Sequence, residues 1–177
     1  IIGRDVTFRK ARVVTRAIVE ALREGDTPPQ LILVGYDTRM LSEKFARTAA
    51  KLIAGCRVRA ELPPRDIPSP VLSSGVLERG ADAGITFTGS HNPPEYSGLK
   101  LYTREGFLAP RALTDRVEAR YRELEPDFDD VYVPHADLVG SFDPKPAYLR
   151  RLAELIDWKA IRASGLKLVV DPLSGTT

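Results

Sequence analysis

A single cysteine among 177 residues, Cys56, rules out an internal disulfide and any cluster of thiolate metal ligands. Its side chain is expected to be a small buried apolar group. Histidine is almost as scarce. His91 and His135 are far apart, and His91 has no second His, Cys or acidic cluster nearby to make it a convincing metal ligand. No apolar run approaches the ~20 residues of a membrane-spanning helix. The first residues also lack the charged-then-apolar order of a secretory leader, so the expectation is a cytoplasmic chain with no membrane partner. An excess of one charge is missing too. Lys plus Arg number 26 against 24 Asp plus Glu, a net +2, and the positives are scattered, which argues against nucleic acid as a partner. Internal repeats and low-complexity tracts are absent.

What is present is a 43% apolar content, enough to bury a core, arranged in alternating periods. Between Thr7 and Glu24, Val14, Ile18, Ala21 and Leu22 share a helical face, and Gly25 follows where a helix ends. Leu31 to Gly35 is a continuous apolar run of the kind buried on both faces of a parallel sheet. Ser42 is expected to cap a second helix with Phe45, Ala49, Leu52 and Ile53 on one face, stopped by Gly55. A strand is expected within Arg57 to Leu62, a short helix from Pro70 to Glu78, and a strand from Ala83 to Phe87. Gly98 to Tyr102 alternates and, after so short a loop, is expected to run antiparallel to that strand. Pro110 opens a helix carrying Leu113, Val117, Tyr121 and Leu124, and Pro126 closes it. Strand alternating with helix predicts a three-layer α/β/α domain with a mixed, mostly parallel sheet.

Five Asp and three Pro between Asp127 and Pro146 read as irregular structure and a linker. A second unit then starts, with Leu149, Leu152, Leu155 and Ile156 facing inward from a helix over Ala147 to Ile161 and a strand over Leu166 to Asp171. The expected division is 1–140 for the first domain and 141–177 for the linker and the opening of a second, incomplete one. A chain that starts at Ile1 without methionine and stops just after a strand reads as cut at both ends.

Chemistry concentrates in Thr88-Gly89-Ser90-His91-Asn92-Pro93. The preceding strand delivers Ser90 to the end of a sheet, where open α/β folds bind ligands, and Pro93 and Pro94 stiffen the loop. A Ser–His hydrolase is disfavoured. Its histidine must face the serine with an acid behind it, neighbours in an extended segment point apart, and Asn92 replaces the last glycine of the nucleophile elbow. Phosphoryl transfer asks chiefly for positioning and charge neutralisation, which suits a fixed hydroxyl. Gly35-Tyr36-Asp37-Thr38-Arg39 follows the first strand in the same way, and Arg39 offers a planar fork matched to phosphate oxygens, with Asp37 as its support or a loop brace. Lys100, ten residues after Ser90, can return a cation to the same place. His91 can donate to a phosphate or shuttle a proton.

The run from Thr88 through Tyr96 to Lys100, together with Gly35-Tyr36-Asp37-Thr38-Arg39, resembles the phosphohexomutases, the phosphoglucomutase and phosphomannomutase superfamily. Gly89 stands where the general pattern has alanine, as in the branch that accepts both glucose and mannose phosphates, and Ser97 stands where asparagine is common. The resemblance implies a four-domain enzyme of which this chain covers the first domain and the start of the second. It implies that Ser90 carries the transferable phosphate, that Lys100 and His91 act beside it, and that Arg39, Asn92 and Asp37 bind substrate or phosphate. It also implies Mg2+, held by the phosphate on Ser90 and by three aspartates of a later domain, and a hexose 1,6-bisphosphate as intermediate and activator. The partner would be a hexose phosphate, and the protein a monomer or homodimer. A glucosamine phosphate mutase and a non-catalytic sugar-phosphate-binding relative are the alternatives. His135 and Trp158 carry no motif and are read as structural.

Overall fold

The computed structural model describes residues 1–129, 133 and 135–176. Five strands form one sheet in the order β4-β3-β1-β2-β5, with β1 at Leu31–Tyr36, β2 at Arg59–Leu62, β3 at Ala83–Phe87, β4 at Leu99–Thr103 and β5 at Val139–Ser141. β1 pairs in parallel with both β2 and β3, and β5 with β2, while β4 runs antiparallel to β3 as expected from the short connection. The helices α1 (Phe8–Arg23), α2 (Ser42–Gly55) and α4 (Arg111–Leu124) cover one face, and α3 (Ser69–Arg79) with α5 (Lys145–Leu155) the other. The predicted three-layer α/β/α unit with a mixed sheet is what forms.

Each face has its own core. On the larger side Ile18, Val34, Phe45, Ile53, Ile85 and Phe87 are buried together, and Phe45 lies between Phe8 and Phe87 at ring-centroid separations of 4.7 and 5.9 Å. Leu33, Leu72, Val76, Tyr102 and Phe142 fill the other side. Gly84 lets α3 approach β3 closely, since a Cβ there would lie 2.7 Å from Val76 Cγ2. Cys56 is free and buried, as expected. Glu61, also buried, is neutralised by Arg59 at 2.6 Å and by a bidentate contact to Arg79 at 2.7 and 2.9 Å, so the charge is compensated rather than stranded.

Four expectations are corrected. Ser42 is the first residue of α2 rather than its cap; the cap position belongs to Leu41 at φ 66°, and the Ser42 hydroxyl donates to Asp37 Oδ1 at 2.8 Å. The stretch read as a linker contains a 3₁₀ turn (Ala136–Leu138) and strand β5, a strand too short and glycine-containing to signal itself; residues 130–132 and 134 of that stretch lie outside the described residues. The helix expected over Ala147 to Ile161 is broken at Asp157, whose carboxylate accepts from Ala160 N at 3.0 Å and restarts it as α6 (Trp158–Ala163). No strand forms at Leu166 to Asp171, where Val169 is 98% exposed, and Leu149 and Leu155 are exposed as well. A hydrophobic pattern specifies a face to be covered, and these residues have nothing packed over them.

Candidate active site

β1 and β3 are parallel neighbours and end together, with Tyr36 paired to Phe87. The chain leaves β1 toward β2 on one side and approaches β3 on the other, so the crevice beyond their carboxyl ends is a topological switch point, the usual ligand position in such sheets. The two loops singled out in the sequence therefore emerge side by side. Asp37 N donates to Phe87 O at 3.1 Å, tying them at the root.

The serine loop closes with Thr88 N donating to Gly98 O (3.1 Å) and is folded by two turns, Asn92 N to Gly89 O and Tyr96 N to Pro93 O, both 3.0 Å. Ile2 N reaches Glu95 O at 2.9 Å and pins the far side. Ser90 has φ 56°, the left-handed region that non-glycine residues seldom occupy, and its N–H is held by Thr88 Oγ1 at 2.9 Å. This turn overrides the extended alternation assumed from sequence: Ser90 Oγ and His91 Nδ1 are 3.3 Å apart instead of pointing away from each other. No carboxylate backs His91 among the described residues, so a Ser–His–acid relay is incomplete.

Arg39 is not aimed at open space. Its Nη1 donates to Pro93 O (2.6 Å) and Tyr96 O (3.1 Å), its Nη2 to Ser90 O (2.9 Å) and Asn92 O (2.6 Å), and its Nε lies 3.3 Å from Asp37 Oδ2. The four N–H groups of the two terminal nitrogens are thereby bonded to the serine loop, and Nε is left to its ion pair with Asp37. The fork's hydrogen bonds go to the serine loop, and Arg39 and Asp37 line the same cavity as Ser90. Asp37 is the loop brace anticipated from sequence: Oδ1 accepts from Arg39 N and Ser42 Oγ, and Oδ2 from Gly89 N at 3.3 Å. Gly89 makes room for this packing, because a Cβ there would lie 2.5 Å from Arg39 Cζ and 2.6 Å from Tyr96 O.

A cavity of about 750 Å³ opens over this floor, and Ser90, His91, Asn92 and Lys100 all line it. Lys100 sits on β4 opposite Thr86 of β3, and both contribute to the wall. Its ammonium makes no hydrogen bond or ion pair with any described residue, so it is the cavity's uncommitted cation. Thr86 and the segment Leu173 to Thr176 also line the cavity, and Thr38 Oγ1 donates to Ser174 O at 2.9 Å. Sequence reasoning missed these. The Pro172-Leu173-Ser174-Gly175 turn was the available signal for the segment, and Thr86 had none beyond facing the same side of the sheet as Lys100. Three or more His, Cys, Asp or Glu side chains placed to hold a metal ion are not found among the described residues. Among the described residues a divalent cation therefore has no such ligand set.

Residues 1–127 match the family model described as phosphoglucomutase/phosphomannomutase, alpha/beta/alpha domain I. Among relatives, a probable phosphomannomutase of Haemophilus influenzae is 34% identical over 144 residues, covering 76% of this chain and 30% of that protein. A phosphoglucosamine mutase of Clostridium botulinum is 33% identical over 142 residues, covering 79% of this chain and 30% of that one. The crystal structure of a putative phosphomannomutase from Thermus thermophilus superimposes with a TM-score of 0.72 at 31% identity, covering 90% of this chain and 34% of that one. The chain thus spans about a third of the length of the proteins it matches.

Proposed function

Because the chain belongs to the phosphoglucomutase/phosphomannomutase family through its α/β/α domain I, we propose that the protein carrying it interconverts hexose 1-phosphate and hexose 6-phosphate, with Ser90 as phosphate carrier. Phosphorylated Ser90 gives its phosphoryl group to the free hydroxyl of the bound hexose monophosphate. The O–P bond to Ser90 breaks as the bond to the sugar oxygen forms, and the sugar proton leaves to a nearby base. The resulting 1,6-bisphosphate turns over and returns its other phosphate to Ser90. Added bisphosphate therefore acts as activator. The observation that carries this reading is the exposed Ser90 hydroxyl, fixed on a left-handed residue at a switch point, in one cavity with a lysine that has no internal partner.

Lys100 is assigned to proton movement at the sugar hydroxyl, His91 to contact with the serine oxygen or its phosphate, and Asn92 to substrate or phosphate binding. Arg39 and Asp37 hold the loop. Mg2+ enters the proposal as the ion that offsets phosphoryl charge in this family. The described residues do not furnish its carboxylates, and no step is derived through it. The division into a first domain at 1–140 and a second from 141 belongs to the same reading, with β5 and Phe142 still serving the first sheet.

Ser90→Ala tests the reading. In the protein with its full chain, turnover of glucose 1-phosphate, mannose 1-phosphate and glucosamine 1-phosphate should disappear together with the phosphate that intact-mass measurement finds on the parent. Turnover in the variant within tenfold of the parent, with contaminating mutase excluded, would refute the phosphoserine mechanism. A parent with neither phosphate on Ser90 nor turnover of any of the three sugars would mark a binding relative.

A further inference from the structure

We propose that Arg39, aligned by Asp37, is a positioning residue that holds Ser90 in its left-handed conformation and so presents its hydroxyl; the proposal rests on Ser90 being the phosphate carrier. A left-handed serine costs on the order of 1 kcal/mol and persists only where its surroundings impose it. Here Thr88 Oγ1 holds the Ser90 N–H and a turn from Gly89 to Asn92 spans the residue, while one remote side chain gathers the loop's carbonyls. The carbonyls of Ser90, Asn92, Pro93 and Tyr96 converge on the guanidinium at 2.6 to 3.1 Å, so four peptide dipoles turn their negative ends toward one point. Without a cation at that point they repel one another, and the loop relaxes to release them. The Arg39 side chain is only 14% exposed, which strengthens these bonds relative to water.

Geometry makes the residue specific. Two terminal nitrogens, each with two N–H groups in one plane, reach four separated acceptors, while Nε faces Asp37 Oδ2 and fixes the plane of the fork. A lysine carries three donors on a single shorter-reaching point and cannot span the set. With both terminal nitrogens committed to loop carbonyls, Arg39 acts on the loop rather than as the fork of a substrate phosphate. Its loss should therefore disturb the reacting serine and leave binding by other groups intact, lowering kcat more than it raises KM.

The test compares the parent with Arg39→Lys, Arg39→Ala and Asp37→Asn in the full-length protein, by amide hydrogen exchange and by kinetics. Exchange in peptides covering 88–98 should accelerate by about tenfold or more in the Arg39 variants while β1 and β3 stay protected. kcat should fall at least about thirtyfold with KM within threefold, Arg39→Lys should fail to restore it, and millimolar guanidinium ion should partly rescue Arg39→Ala. Unchanged exchange over 88–98 would overturn the proposal, and so would a KM effect with kcat retained. Should Arg39 replacement unfold the strands as well, Asp37→Asn decides on the same two criteria. Exchange needs no substrate, so a parent lacking both turnover and phosphoserine would refute the mutase reading while the clamp is still judged by its own measurement.

Discussion

Replacing Lys100 with methionine should cost catalysis without costing stability, because the structure separates the two roles. Lys100 contributes its backbone to the β3–β4 ladder, which methionine preserves, and its ammonium bonds to no described residue. Substitutions at such positions usually change stability by less than ~0.5 kcal/mol. For a chain of this size that amounts to a shift of about 2 °C or less in Tm. Losing a positioned proton-transfer group typically costs a factor of roughly 10² to 10⁴ in rate, or about 3 to 5 kcal/mol of transition-state stabilisation. The predicted signature in the full-length protein is therefore a kcat lower by that factor on glucose 1-phosphate and mannose 1-phosphate, a KM that moves less, an unchanged melting curve, and phosphate still present on Ser90. A steep rise in KM with kcat retained would make Lys100 a binding cation and refute its proton-transfer role. Turnover within threefold of the parent would refute any direct role.

Phe45→Ala removes the ring between Phe8 and Phe87 and should lower stability by about 3 to 5 kcal/mol in a denaturant titration; a loss under 1 kcal/mol would mean the α2 face repacks. Burial, and then the 2.8 Å hydrogen bond to Glu125, push the Tyr121 phenol up to about 12. A pKa raised in the folded state stabilises fully below the unfolded value of 10.0 and is lost as pH rises toward 12. Tyr121→Phe should accordingly lose less stability than the parent over that window in denaturant titrations at several pH values, and parallel losses would contradict the assignment. The 177-residue chain alone should bind Mg2+ weakly, since the ion wants six oxygen ligands and no carboxylate cluster awaits it among the described residues. Tight stoichiometric binding by calorimetry would place the metal site within this chain, with Asp37, Asp82 and Glu95 the first to substitute.

Local chemistry determined a great deal here by itself. Apolar runs bounded by turn residues located β1 and β3, proline and glycine punctuation located α3 and α4, and the short connection between β3 and β4 forced their antiparallel pairing. The serine motif and the Gly35 to Arg39 loop were legible because turn-forming residues and chemistry-bearing side chains stand together in each short phrase. What only the tertiary structure decided depends on contacts between remote segments. Parallel pairing of β1 with β3 brought the two loops together across fifty residues of chain. The left-handed turn at Ser90 set His91 beside the serine, and the fold gave Arg39 four carbonyls to hold at the edge of the same cavity. The same dependence explains the misreadings beyond Pro144. The pattern at Leu149, Leu155 and Leu166 to Val170 states which side chains need burial, but a periodicity carries no information about whether a partner surface covers them, and here they stand exposed.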